Sequence, residues 1–125
     1  MGRKASSTLT EAELRLMNVL WERGASTVND VLDALPQDPP LAYSTVLTTL
    51  RILEDKGYLK HEKNGRAFLY VPRVPREQAR SSALRLLLSR FYNDSAEQLV
   101  LNILKHERLN GTELRRLKRM IEEAE

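Results

Sequence analysis

Leu41-Ala42-Tyr43-Ser44-Thr45-Val46-Leu47-Thr48-Thr49-Leu50-Arg51-Ile52-Leu53-Glu54-Asp55-Lys56-Gly57 is the stretch on which the fold turns. Val46, Leu47, Leu50 and Leu53 recur at helical spacing and mark one apolar stripe. At about 100° per residue, Ser44, Thr45, Thr48, Arg51 and Ile52 fall on the opposite side. That outer face carries short hydroxyls and one arginine, without the Glu/Lys ladder of an ordinary solvated helix. Hydroxyls let a helix come close to a phosphate backbone or to base edges, and arginine can grip guanine through two bonds. A helix that merely tolerates threonine would read the same way, and the flanking segments decide between the two. Gly57 predicts a left-handed cap at the end of the helix.

Upstream, Thr10 and Glu13 form a capping box, with Leu9 able to staple onto Leu14. Leu14, Met17, Leu20 and Trp21 give the expected buried stripe of this first helix, and Gly24 closes it. Ala25-Ser26 has room for one brief strand. Thr27 with Asp30 caps a second helix whose inward face is Val28, Val31, Leu32 and Leu35, stopped by Pro36. Gln37-Asp38-Pro39-Pro40 reads as a stiff turn into the third helix, which Ala42 caps poorly. Downstream of Gly57 the period changes from 3.6 to 2. Tyr58–Glu62 and Ala67–Val71 read as strands joined by Lys63-Asn64-Gly65-Arg66, and Asn-Gly is a strong hairpin signal. Helix, short strand, helix, helix, hairpin is the order of a winged helix-turn-helix, with the hairpin as the wing. Lys63 and Arg66 at its tip are placed to straddle a phosphate; a charged, solvated turn is the alternative.

Pro72 and Pro75 mark a boundary, and from Arg76 the chain is helical again. Leu84, Leu87, Leu88 and Phe91 line one side of a fourth helix. Asn93-Asp94-Ser95 breaks and recaps it. A fifth carries Leu99, Val100, Ile103 and Leu104. Asn110 and Glu113 cap a sixth, whose stripe is Leu114, Leu117 and Ile121. Three short helices cannot bury this much leucine alone. Packing against the same segment of a second chain is the economical solution, and a symmetric dimer doubles the recognition helices as a palindromic site requires. Packing back on the winged domain is the alternative. The expected fold is therefore mainly α with a small β-hairpin. A disordered basic arm (1–8) precedes a winged-helix DNA-binding domain (9–74) and a helical dimerisation region (75–125).

The 125-residue chain has a net charge of +3 and no cysteine. Its pI near 9.4 leans only weakly toward a polyanionic partner. Without cysteine there is no disulfide framework and no thiolate metal site. His61 and His106 lie in different segments, so no metal or cofactor is expected. No phosphate loop, nucleophile elbow or triad supports an enzyme. No apolar run suits membrane insertion and no signal peptide is evident, so the expected location is cytoplasmic.

Specific motifs narrow this further: Leu-Thr-Glu-Ala-Glu-Leu (9–14), Val-Leu-Trp-Glu-Arg-Gly (19–24), Tyr-Ser-Thr-Val-Leu-Thr-Thr-Leu-Arg (43–51) and Gly-Arg-Ala-Phe-Leu-Tyr (65–70). With them the chain resembles the penicillinase repressor family of BlaI/MecI/CopY-type regulators, from Leu9 to about Glu123. Arg-Phe-Tyr-Asn (90–93) and Leu-Val-Leu-Asn (99–102) resemble its β-lactam-responsive branch, with a link to antibiotic resistance. The resemblance implies a homodimeric transcriptional repressor on a palindromic double-stranded DNA operator. It also implies a membrane metalloprotease sensor as the upstream signal. Asn102-Ile103 resembles the scissile position of that branch; ordinary helix core is the other reading. The copper-responsive branch carries a C-terminal cysteine cluster, which this chain lacks.

Candidate DNA contacts are Tyr43, Ser44, Thr45, Thr48, Thr49, Arg51, Lys63 and Arg66. Candidate dimerisation residues are Leu84, Leu87, Leu88, Phe91, Leu99, Val100, Ile103, Leu104, Leu114, Leu117 and Ile121. Two rival classes stay open at the level of sequence. A winged-helix protein-interaction module would show no salt-dependent DNA binding. A small-molecule-sensing regulator would carry a pocket lined from the hairpin side and from helix four.

Overall fold

A computed structural model describes residues 8–36 and 40–124. The basic arm, apart from Thr8, and Gln37-Asp38-Pro39 of the expected turn lie outside the described residues. The elements are α1 (Glu11–Arg23), α2 (Val28–Ala34), α3 (Tyr43–Asp55), β1 (Leu59–Asn64), β2 (Ala67–Pro72), α4 (Arg76–Phe91), α5 (Ala96–His106) and α6 (Gly111–Glu123). They pack as two compact units divided between Leu84 and Arg85, within α4.

Local sequence explains the helix starts. Thr10 and Glu13 bond reciprocally at the head of α1, and Thr27 and Asp30 do the same for α2. Two bonds from Thr27, first its backbone N–H and then its hydroxyl, hold the Asp30 carboxyl below its ordinary value. At the end of α3 the Gly57 N–H bonds to the Glu54 carbonyl at 3.0 Å, and the Tyr58 N–H to Leu53 at 2.9 Å. This is a Schellman closure, with Gly57 at φ 91° supplying the left-handed residue it needs. The chain thus passes directly from α3 into the hairpin.

β1 and β2 pair antiparallel from Leu59↔Pro72 to Asn64↔Ala67. Ser26 adds an isolated bridge to Tyr70, the brief strand expected at Ala25-Ser26. The expected turn is corrected. Lys63 and Asn64 belong to β1, and only Gly65-Arg66 lies between the strands. Gly65 has φ 64° while Asn64 stays extended in its strand, which suits a hairpin with glycine first in the turn. Tyr58, expected in the first strand, precedes it and is buried.

The core of the first unit joins Leu16, Met17 and Leu20 to Val28, Val31 and Leu35 of the second helix segment. Val46, Leu50 and Leu53 of α3 and Tyr58, Leu59, Tyr70 and Val74 complete it. Each fully buried aliphatic side chain contributes about 1.5–3 kcal/mol. The stripe of α1 differs from expectation by one position. Leu14 is 42 % exposed, and Leu16 takes the buried place. Leu16, Met17 and Leu20 share one helical face, and Glu13 lies on it too, only 5 % exposed, its carboxylate receiving the Lys56 ammonium at 2.7 Å. With that face turned inward, Leu14 points outward.

Burial pushes the Glu13 carboxyl up. Hydrogen bonds from Lys56 and the Thr10 backbone, helped by the Lys56 charge, outweigh it, so the group lies below its ordinary value. A depressed carboxyl stabilises the fold above its unfolded pKa, about 4.3, and loses that contribution as pH falls through the folded value. Lys56→Met should therefore cost about 1–3 kcal/mol at neutral pH, by leaving a buried acceptor short of a partner. Urea melts at neutral and acid pH check it: the midpoint should drop, and the acid-side loss of stability should become shallower than in the parent.

In the second unit, Asn93 and Asp94 turn the chain at positive φ, and Ser95 caps α5 through the Gln98 N–H. Asn110 and Glu113 form the capping box of α6. No residue of α4, α5 or α6 is buried. Phe91, Leu101, Leu104, Met120 and Ile121 are all at least half exposed.

Candidate nucleic-acid interface

Amphipathicity sets which side of α3 faces out. Val46, Leu50 and Leu53 enter the core, so Tyr43, Ser44, Thr45, Thr48, Arg51 and Ile52 are left exposed. Thr49 is half-buried, and its hydroxyl donates to the Thr45 carbonyl at 2.8 Å, so the proton is committed to its own helix. Ala42 gives α3 no side-chain cap, and there is no acidic residue in its first turn. The N-terminal amides of α3 thus lack the acidic cap that α1, α2 and α6 have. With the partial positive charge of the helix end, they form an opening suited to phosphate.

Arg51 lies beside the Tyr70 phenol, a residue only 2 % exposed. Burial pushes that phenol above its ordinary value. The Glu54 carboxylate adds to the push, and the nearby Arg51 guanidinium opposes it. One turn on, Glu54 Oε2 takes the His61 backbone N–H at 3.1 Å and lies 2.6 Å from His61 Nδ1. The His61 ring also packs on Phe68, centroids 4.7 Å apart. Tyr70 exchanges two backbone bonds with Ser26, just before α2. The recognition helix, the wing and the start of α2 are therefore linked through Tyr70 and Glu54, neither of which the sequence reading nominated. The observed register puts these side chains together: His61 and Tyr70 are directly paired, and Phe68 shares their face by alternation.

A cleft of about 260 Å³ runs between α2, α3 and β2, lined by Asn29, Tyr43, Arg51, Arg66 and Phe68 among others. The structure brings Tyr43, Arg51 and Arg66 together there. Lys63 is exposed near the end of β1 and does not line the cleft. Arg66 should meet a phosphate, a contact without sequence information. Arg66→Ala is expected to flatten the slope of log K against log salt by about 0.9. An unchanged slope would mean that the wing tip stays off the DNA. Among the described residues, no group of three or more His, Asp or Glu side chains could hold a metal ion.

A family model described as "Penicillinase repressor" matches residues 9–123. The Penicillinase repressor of Bacillus licheniformis is 33% identical over 115 residues, 92% of this chain and 90% of that protein. The Methicillin resistance regulatory protein MecI of Staphylococcus aureus (strain N315) is 21% identical over 113 residues, 90% of this chain and 92% of that protein. Among solved structures, the DNA binding domain of the repressor BlaI superposes with a TM-score of 0.53 at 32% identity, covering 60% of this chain and 92% of that one.

Proposed function

The chain belongs to the penicillinase repressor family, DNA-binding transcriptional repressors rather than enzymes, and from that premise we propose that it acts as a cytoplasmic homodimer on a palindromic operator. The observation that carries DNA reading is the outer face of α3: exposed hydroxyls, an exposed Arg51 at the cleft, and a first turn without an acidic cap. Thr48 and Arg51 read base edges. Tyr43, Ser44, Thr45 and the first-turn amides meet phosphate, as do Lys63 and Arg66 from the wing. Thr49, its proton already committed, keeps only an acceptor role.

The exposed apolar residues of α4, α5 and α6 support assembly with a second copy. A twofold dimer then presents two copies of α3 to two half-sites. No helix among the described residues is long and apolar enough to cross a membrane.

Release follows from cutting Asn102–Ile103. That bond lies inside α5, and the Tyr92 hydroxyl donates to Asn102 Oδ1 at 3.0 Å, tying α5 to the end of α4. A bond held in this way is cut only when the segment opens locally. Cleavage severs α6 and its Leu114, Leu117 and Ile121 from the assembly region, and each winged unit then binds its half-site alone. Co-expression with the cognate membrane metalloprotease, followed by fragment mapping by mass spectrometry under inducer, tests this. The expected product pair ends at Asn102 and begins at Ile103. Induction with the full-length chain intact would overturn proteolytic release.

A further inference from the structure

Leu14, turned out of the core, forms part of a second concavity in the first unit, about 340 Å³ in volume and lined from α1 and α4. Its apolar walls include Leu14, Trp21, Ala79 and Ala83, and Arg76 and Arg80 stand among them. This volume falls within the roughly 300–1,000 Å³ typical of small-molecule sites. Trp21 is fixed by its polar edge, its Nε1–H donating to the Val74 carbonyl at 2.9 Å. The Arg76 guanidinium lies 5.4 Å from the indole centroid. Each cation has a weak partner: Glu22 lies 3.7 Å from Arg76, and Glu77 lies 2.8 Å from Arg80 in an exposed pair. Exposed pairs of this kind are readily exchanged for another anion.

We propose that this pocket binds a small organic anion, a flat apolar body carrying one carboxylate. The body lies against Trp21 and Leu14, and the carboxylate meets Arg76 and Arg80. An apolar wall with a fixed aromatic ring and two cations selects that combination over a neutral or cationic molecule. None of the lining residues is a candidate DNA contact, so such a ligand reaches the repressor without occupying the operator face. The site goes beyond the repressor reading and does not depend on it.

Trp21 is the only tryptophan of the chain, so its fluorescence reports on this pocket alone. The full-length protein is titrated with para-nitrobenzoate, which pairs an aromatic body with a carboxylate and quenches indole. Quenching should saturate. Affinity should fall by about tenfold or more for para-nitrobenzamide, which keeps the body and loses the charge, and for the exposed-site variant Arg80→Gln. The Arg66→Ala protein should bind like the parent. Quenching that stays linear with concentration would overturn the proposal, as would equal affinity for acid and amide. An apparent Kd that weakens as protein concentration rises would overturn it too, because a second copy of the chain would then be the occupant.

Discussion

Phe91→Asp should split the repressor into monomers that keep a folded winged-helix unit and lose operator affinity by about 10²–10⁴, the effective concentration that linkage supplies. Phe91 is 75 % exposed on α4, so aspartate there disturbs little within the chain itself. In an interface it would bury an unpaired charge, which costs far more than the lost aromatic area. Exposed aromatic anchors are also where association energy tends to concentrate. Leu88, which the sequence nominates equally, is a poorer probe. It is half-buried in its own chain, so Leu88→Asp would mix unfolding with dissociation. Sedimentation reads the mass of the variant, and titration against full and half operators reads its function. Half-operator affinity should be unchanged while full-operator affinity collapses. A variant that remains dimeric would place the interface elsewhere.

Arg51→Ala should cost roughly 1–3 kcal/mol on operator and much less on scrambled DNA, if the guanidinium reads a base. Arg51 lines a cleft with Tyr43, Arg66 and Tyr70, and its rigid fork of five donors suits a two-point grip on a base edge. Tyr70→Phe provides the graded companion: the cation remains beside a wall that has lost its phenol, and discrimination between operator and scrambled duplex should narrow by less than in Arg51→Ala. Equal losses on both DNAs would reduce Arg51 to a phosphate contact.

What could be read from the sequence was what adjacent residues decide. Thr10 with Glu13, Thr27 with Asp30 and Asn110 with Glu113 are caps made over three residues, and all three are present. The outer face of α3 followed from period alone. The misses share a different cause. Leu16 takes the place expected of Leu14 on a face that also buries Glu13, and that carboxylate finds its partner in Lys56, 43 positions away and outside any window around α1. The turn narrowed to Gly65-Arg66 because strand pairing runs to Asn64↔Ala67, a matter of register rather than of the Asn-Gly pair itself. The link from Glu54 to His61 joins α3 to β1, and nothing on either segment alone announces it.

The open first turn of α3 sets a limit on how stable this protein can become. Ala42 stands where Ser, Thr, Asp or Asn would firm the helix by about 0.5–2 kcal/mol. If α3 reads DNA as proposed, an acidic cap would put a negative group where an operator phosphate comes. The phosphate would then take the place of the side-chain cap that Ala42 does not supply. Selection for a sturdier free protein at this position would run against selection for a working one.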